Sequence, residues 1–322
     1  MNATSLTARV VRKVVEAEDI CSFELVSAGG EPLPSFAAGS HVDVQLPGGL
    51  TRQYSLCNDP TETHRYLIAV LRDPSSRGGS AAMHEQVKEG DTLVISTPKN
   101  HFALAHEASS HLLLAGGIGV TPLLCMAERL ANAGAPFEMH YCTRSKARTA
   151  FVQRIEDSSF ASRAHFHFDD GPAAQRLDIA ALLSQPQAGR HLYVCGPKGF
   201  MDAVLGSARV QGWSEAQIHY EFFGAEPAAA AGADDAFEVM LASSGRVIKV
   251  PAGVSVVRAL GECGITIATS CEQGVCGTCL TKVIDGVPDH RDLYLTPEEQ
   301  AAGDQFLPCC SRSKSVRLVL DL

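Results

Sequence analysis

Near the carboxyl end of a 322-residue chain, Cys271-Glu272-Gln273-Gly274-Val275-Cys276-Gly277-Thr278-Cys279 forms a C-x4-C-x2-C run, with Cys309 and Cys310 far downstream. That spacing, with a remote fourth cysteine, is the pattern of a plant-type [2Fe–2S] site. Two tetrahedral irons need four thiolates, and backbone N–H groups turned toward the sulfurs stabilise the negative charge. Gly274 and Gly277 suit such a loop, because a side chain would hold the backbone away from a cluster. Four thiolates also suit a structural zinc ion. Zinc ribbons usually pair two C-x2-C knuckles, however, and here only Cys276 and Cys279 make one. Cys21, Cys57, Cys125, Cys142 and Cys263 read as small core residues. Eleven cysteines, an odd number, do not read as a disulfide framework.

A second chemistry is spelled upstream. Leu112 to Ala115 runs into Gly116-Gly117-Ile118-Gly119-Val120-Thr121-Pro122 and then a periodic apolar helix from Leu123. A strand, a glycine-rich turn and a helix start can take a pyrophosphate on converging N–H groups. A tight turn in any α/β fold could look the same. Cys195-Gly196-Pro197 follows a later strand, and Phe200-Met201 opens a helix, which puts a thiol and a flexible turn where open α/β sheets bind ligands. Arg52-Gln53-Tyr54-Ser55 lies in a strand pattern that turns Arg52 and Tyr54 to one side and Ser55 to the other. Arg77-Gly78-Gly79-Ser80, ahead of a helix expected over Ala81 to Val87, could clamp a terminal phosphate. Arg144 and Ser145, after the second strand of the nucleotide segment, could meet a 2′-phosphate, or Arg144 could stack on adenine.

The elements that must position these residues fall into three textures. Ala8 to Val15, Ile20 to Val26, His41 to Leu46, Tyr66 to Arg72 and Thr92 to Thr97 alternate between turn clusters, as in an antiparallel barrel. From about His106, Leu112 to Ala115, Glu138 to Cys142, His165 to Phe168, Leu192 to Cys195 and Ile218 to Phe222 are short apolar strands spaced by helix-length stretches, the mark of a parallel sheet. Ala225 to Ala236, small and acidic, reads as a linker. Beyond it, a hairpin over Phe237 to Leu241 and Val247 to Val250, a helix over Val254 to Glu262 and a last strand over Val316 to Leu320 are expected. The divisions are therefore 1–105, 106–225, a linker over 226–236, and 237–322.

Composition sets limits. The 27 Lys+Arg against 36 Asp+Glu leave a net charge of −9 with no basic block, which argues against nucleic acid as a partner. The uncharged stretch Leu112 to Ala127 is too short and too broken by glycine and proline to span a bilayer. Met1 to Val11 lacks the features of a secretory signal. A cytoplasmic, monomeric protein without a membrane partner is the expectation.

Arg52-Gln53-Tyr54-Ser55, Gly116 to Pro122, Cys195-Gly196-Pro197 and the cysteine run, in that order, resemble the phthalate dioxygenase reductase family over essentially the whole chain. The resemblance implies an antiparallel β-barrel flavin domain, a ferredoxin–NADP⁺ reductase-like α/β nucleotide domain and a β-grasp ferredoxin domain. It implies FMN held by Arg52, Tyr54 and Ser55, with Tyr54 against the isoalloxazine and Ser55 near N5, and with Arg77, Gly79 and Ser80 at the phosphate. Gly117 and Thr121 would meet the nicotinamide nucleotide, with Cys195 and Gly196 near its reacting carbon and Phe223 beside the flavin. The family ligand pattern falls on Cys271, Cys276, Cys279 and Cys309, with Cys310 the competitor for the last place. The implied activity carries electrons from NADH, with NADPH possible, through FMN and the cluster to a Rieske-type oxygenase. The competing reading is a zinc-stabilised nucleotide-binding regulatory or scaffold protein.

Overall fold

The computed structural model describes residues 5–47, 49–74, 78–224 and 235–322. The chain divides into two compact units, Met1–Phe223 and Gly224–Leu322.

The first unit opens with β1 (Ser5–Ala17), β2 (Ile20–Ser27), β3 (Ser40–Gln45), β4 (Thr51–Ser55), β5 (Tyr66–Leu71), the short helix α1 (Gly79–Glu85), β6 (Thr92–Ser96) and β7 (Lys99–Asn100). The antiparallel order is β4-β3-β6-β1-β2-β5, with β7 on β3. Register shifts in β1 between Val10 and Arg12 and between Val15 and Ala17 bend the sheet. A bridge from Leu56 to Ile68 brings the end of β4 back to β5, curling the sheet into a barrel. The alternating strands bury Val10, Phe23, Val42, Val44 and Ile68 inside it.

Next come β8 (Ser110–Gly116), α2 (Val120–Asn132), β9 (Phe137–Thr143), α3 (Val152–Glu156), β10 (Ala164–Phe168), α4 (Ile179–Leu183), β11 (Arg190–Cys195), α5 (Lys198–Val210) and β12 (Ile218–Glu221). Their sheet is wholly parallel, in the order β10-β9-β8-β11-β12. The unbroken Leu112-Leu113-Leu114 run follows from burial on both faces. Leu113 packs with α2 residues such as Leu123 and Leu124. Leu112 and Leu114 pack with Met201, Val204 and Leu205 of α5. Ile20, Cys57, Ala69 and Phe102 of the barrel segment belong to the same core as Leu113 and Leu123, so the barrel and the sheet share buried surface.

The second unit holds β13 (Phe237–Leu241), β14 (Val247–Val250), α6 (Val256–Glu262), β15 (Thr281–Asp285), β16 (Pro288–Asp289), α7 (Pro297–Ala302), β17 (Gln305–Phe306), β18 (Arg312–Ser313) and β19 (Arg317–Leu320). A mixed sheet in the order β14-β13-β19-β15-β17 packs against α6 through Val239, Val256, Leu260 and Leu318. This is the β-grasp layout, with first and last strands parallel at its centre.

Several boundaries differ from expectation. Gly78, at φ 91°, turns the chain straight into α1 at Gly79 rather than Ala81. The helix after the glycine turn begins at Val120, because Pro122 in a first turn gives up an N–H that has no helical partner. Ser255 accepts from the Arg258 N–H, so α6 starts at Val256. Cys21, Cys57 and Cys125 are buried in the core, Cys263 is half-buried against the core of the second unit, and Cys142 is only half-buried. The expected linker lies almost wholly outside the described residues. Among the described residues no helix is long and apolar enough to cross a membrane.

Candidate functional site

On β4, Arg52 pairs with Val44, Tyr54 with Val42 and Ser55 with His41. Arg52 and Tyr54 thus share the face of buried valines, and Ser55 looks the other way, as the alternation required. Arg52 lies against the start of α1: a Cβ on Gly79 would come within 2.7 Å of its Nε. Its Nη1 donates to the Thr51 carbonyl at 2.7 Å. Ser80 Oγ accepts from the Asp73 N–H at 3.1 Å, so the hydroxyl secures the loop ahead of α1. Arg77 lies outside the described residues. Burial pushes the Tyr54 phenol pKa up, leaving an aromatic hydrogen donor beside a guanidinium. A cation, an aromatic ring and a glycine-floored edge fit a flavin and its phosphate.

Ser55 meets a partner that the motif reading missed. Its hydroxyl hydrogen-bonds to Glu221, at the end of β12. Glu221 is half-buried as a residue, yet its Oε2 is closed off from solvent without a hydrogen-bond partner. Burial raises its carboxyl pKa to about 8, the Ser55 bond opposing part of the rise. Glu221 stands directly opposite Cys195 across β11 and β12. Cys195 is fully buried, and burial followed by the neighbouring Glu221 pushes its thiol pKa well up. A hydroxyl, a neutral carboxyl and a protonated thiol thus come together from three segments. The available signal was a carboxylate at the carboxyl end of a strand in an apolar Tyr-Glu-Phe-Phe run, a place where ionised groups are costly.

The parallel sheet reverses its strand order between β8 and β11, and ligands of open α/β sheets bind in the crevice at such a point. Gly116 to Gly119 and Cys195-Gly196 leave these two strands there. A Cβ on Gly119 would collide with the Cys195 carbonyl, so the loops touch backbone to backbone. Gly117, at φ 52°, has open space above it. Thr121 is buried, its hydroxyl donating to the Ile118 carbonyl at 3.0 Å, so it shapes the turn from beneath. Arg144 is exposed after β9, and the Asp170 N–H donates to its carbonyl. Phe223, 41% exposed, follows β12.

In the second unit the thiols approach in pairs. All are free; the Cys271 and Cys276 thiols hydrogen-bond each other, as do Cys279 and Cys309, with Cys310 also against Cys309. In each pair one thiol is drawn below the ordinary value, Cys276 by Cys271 and Cys309 by Cys279 and then Cys310. Gln273 N–H donates to Cys271 Sγ at 3.3 Å, and Gly274 N–H donates to Cys309. A Cβ on Gly274 would collide with Cys310 Sγ, and one on Gly277 with the Tyr294 ring. Cys310 has other contacts, Leu307 O and Ser311 Oγ, both at 3.7 Å. Among the described residues no three His, Cys, Asp or Glu side chains already enclose one metal centre. Two thiol pairs under a canopy of N–H groups instead suit two irons with two thiolates each.

A barrel leading into a parallel sheet with a lined switch point, and a thiolate cradle on a β-grasp, together make an electron-transfer reductase of the ferredoxin–NADP⁺ reductase-like class with its own plant-type ferredoxin. A 2Fe-2S iron-sulfur cluster binding domain matches residues 239–314. The N-terminal domain of the family described as dimethylamine monooxygenase subunit DmmA-like matches residues 94–218. The chain is 57% identical to a vanillate O-demethylase oxidoreductase of Pseudomonas putida, covering 98% of this chain and 100% of that one. It is 39% identical to a phthalate dioxygenase reductase of Burkholderia cepacia, with 98% and 97% covered. A solved phthalate dioxygenase reductase, described as a modular structure for electron transfer from pyridine nucleotides to [2Fe-2S], matches with a TM-score of 0.78 at 39% identity, covering 99% of this chain and 98% of that chain. The chain belongs to the phthalate dioxygenase reductase family. Its cofactors are those of the family, FMN, a pyridine nucleotide and a [2Fe–2S] cluster.

Proposed function

We propose that the chain is the NADH-dependent reductase of a Rieske-type aromatic oxygenase, the one that demethylates vanillate. The supporting observation is the convergence of Ser55, Glu221 and Cys195 beside the Arg52-Tyr54 edge, in a chain that also carries the paired cysteines. FMN, when bound, accepts a hydride from NADH, and the [2Fe–2S] cluster passes the electrons singly to the oxygenase. Arg52, Gly79 and Ser80, with Arg77, hold the flavin phosphate, and Tyr54 packs on the ring system. Ser55 would face the reacting edge of the flavin, and the neutral Glu221, hydrogen-bonded to the Ser55 hydroxyl, would hold a proton there. Cys195 and Gly196 hold the nicotinamide, Gly117 and Thr121 shape the turn beneath the dinucleotide, and Phe223 covers the flavin. Arg144 lies along the adenosine end. Cys271, Cys276, Cys279 and Cys309 would ligate the irons, with Cys309 taken over the adjacent Cys310, which stands against it, on the family's ligand pattern. The aromatic substrate binds the partner, so this chain needs no pocket for it. The protein acts as a cytoplasmic monomer.

Reconstitution tests the reading. Purified protein mixed with the vanillate oxygenase, NADH and vanillate should yield the demethylated product, while a phthalate oxygenase turns over more slowly. Faster turnover with the phthalate partner would reassign the substrate. Catalytic efficiency with NADH should exceed that with NADPH, and the reverse order would overturn the cofactor choice. Colourless, zinc-loaded protein would instead favour a scaffold.

A further inference from the structure

Between β16 and α7, the segment Arg291 to Leu295 runs past both parts of the thiol set. Leu293 N–H donates to the Gly274 carbonyl of the cysteine loop at 3.0 Å. Arg291 N–H donates at 3.1 Å to the hydroxyl of Ser311, just beyond Cys309. The Tyr294 ring lies over Gly277, and a Cβ on Gly274 would come within 3.0 Å of Asp292 Cα and Cβ. Asp292 therefore stands against the loop that carries Cys271, Cys276 and Cys279, and next to the segment that carries Cys309.

The Asp292 side chain is wholly closed to solvent. A buried carboxyl is costly unless hydrogen bonds satisfy it, and here they do. Leu295 N–H donates to Oδ2 at 2.9 Å, and the Ser311 hydroxyl donates to Oδ1 at 3.2 Å. Two accepting oxygens are the pattern of an ionised carboxylate. The adjacent cation Arg291 turns to Asp289, Nε to Oδ2 at 2.9 Å. His290 Nδ1 is 3.5 Å from Asp292 Oδ1, but both its ring nitrogens are closed to solvent and hydrogen-bond nothing. The negative charge of Asp292 thus lies in a dry place where solvent and salt screen it little.

We propose that Asp292 tunes the [2Fe–2S] cluster, holding its reduction potential low by a fixed negative charge set against the cysteine loop. Net charge is one of the determinants of a cluster's potential. Reduction adds an electron, and a neighbouring anion makes that step less favourable. A lower potential increases the driving force with which the electron leaves for its acceptor. Ser311 and Leu295 hold the carboxylate in place, and Asp292 acts through its charge rather than as a ligand. The inference rests on the paired cysteines carrying the cluster, which iron and acid-labile sulfide contents of the wild type check separately.

Redox titration of the full-length holoprotein, followed by the electron paramagnetic resonance of the reduced cluster, tests the role. It is run at about pH 8, where an imidazole of ordinary pKa, about 6.5, is neutral. Asp292→Asn should shift the reduction equilibrium about tenfold toward the reduced cluster, a rise of about 59 mV for one electron. Asp292→Ser, smaller and also uncharged, should move it the same way and serves if the amide prevents cluster uptake. Ser311→Ala removes a hydrogen-bond donor but keeps the charge, and should not raise the potential. A wild-type potential in Asp292→Asn overturns the proposal, because the carboxyl is then neutral or too remote to be felt. An equal rise in Ser311→Ala also overturns it, since lost contacts rather than lost charge would be the cause. Should neither Asp292 variant retain iron, the residue is structural and the proposal fails.

Discussion

At the scale of single residues, Glu221 couples the redox site to pH. Its pKa rises from 4.5 in the ordinary case to about 8 in the folded protein, with burial as the main cause. A raised folded pKa gives stability that is fully present below the unfolded value and is lost as pH climbs through the folded one. Melting temperature should therefore fall between about pH 5 and pH 8 in the wild type, and Glu221→Gln should flatten that slope. An unchanged slope in the variant would mean that Glu221 is ionised throughout. Arg52 offers a second test. Arg52→Ala should cost about 1.5–3 kcal/mol of FMN binding through loss of a charge-assisted contact, read as weaker flavin retention on dilution. Equal retention would remove Arg52 from the phosphate site.

Elements matter through how closely they approach. The loops after β8 and β11 form one crevice only because Gly119 lets its backbone lie against the Cys195 carbonyl. Gly119→Ala should force them apart at a cost of about 1–3 kcal/mol, as overpacking does. The expected readout is a lower melting temperature together with a raised KM for NADH. A drop in stability with KM unchanged would show that the crevice does not hold the nicotinamide. Helix α2 adds the complementary constraint, since its apolar positions Leu123, Leu124 and Leu130 anchor the turn to the core shared with the barrel.

Across the whole molecule, two units divide the work. Flavin and nucleotide sites are built from residues before Gly224, and the thiols come from after it. Cys276→Ser should therefore abolish the cluster's visible absorption and electron delivery to the oxygenase while preserving NADH-dependent reduction of a small dye. Loss of dye reduction in a variant that still binds FMN would break the proposed electron order. Among the described residues the core beside the cysteine loop is the small cluster of Cys279, Leu295 and Leu307, with Ile267, Cys309 and Cys310 packed against it, so the same variant should also melt earlier.

The cysteine spacing, the Arg52-Gln53-Tyr54-Ser55 strand and the alternation of short strands with helix-length gaps were legible from the sequence, because each is a local pattern with its own periodicity. Phe237–Leu241 and Val247–Val250 were placed to the residue, since a hairpin's limits are written in its turn. Glu221 and Asp292 were not legible. A lone carboxylate carries no signature until folding sets it beside distant segments, as the order β10-β9-β8-β11-β12 does for Glu221. Thr121, which the resemblance sets at the nicotinamide nucleotide, also donates its hydroxyl to the Ile118 carbonyl, a contact within the turn that only the fold discloses. Local sequence fixes which groups are available, while strand order and burial decide which of them meet and in what protonation state.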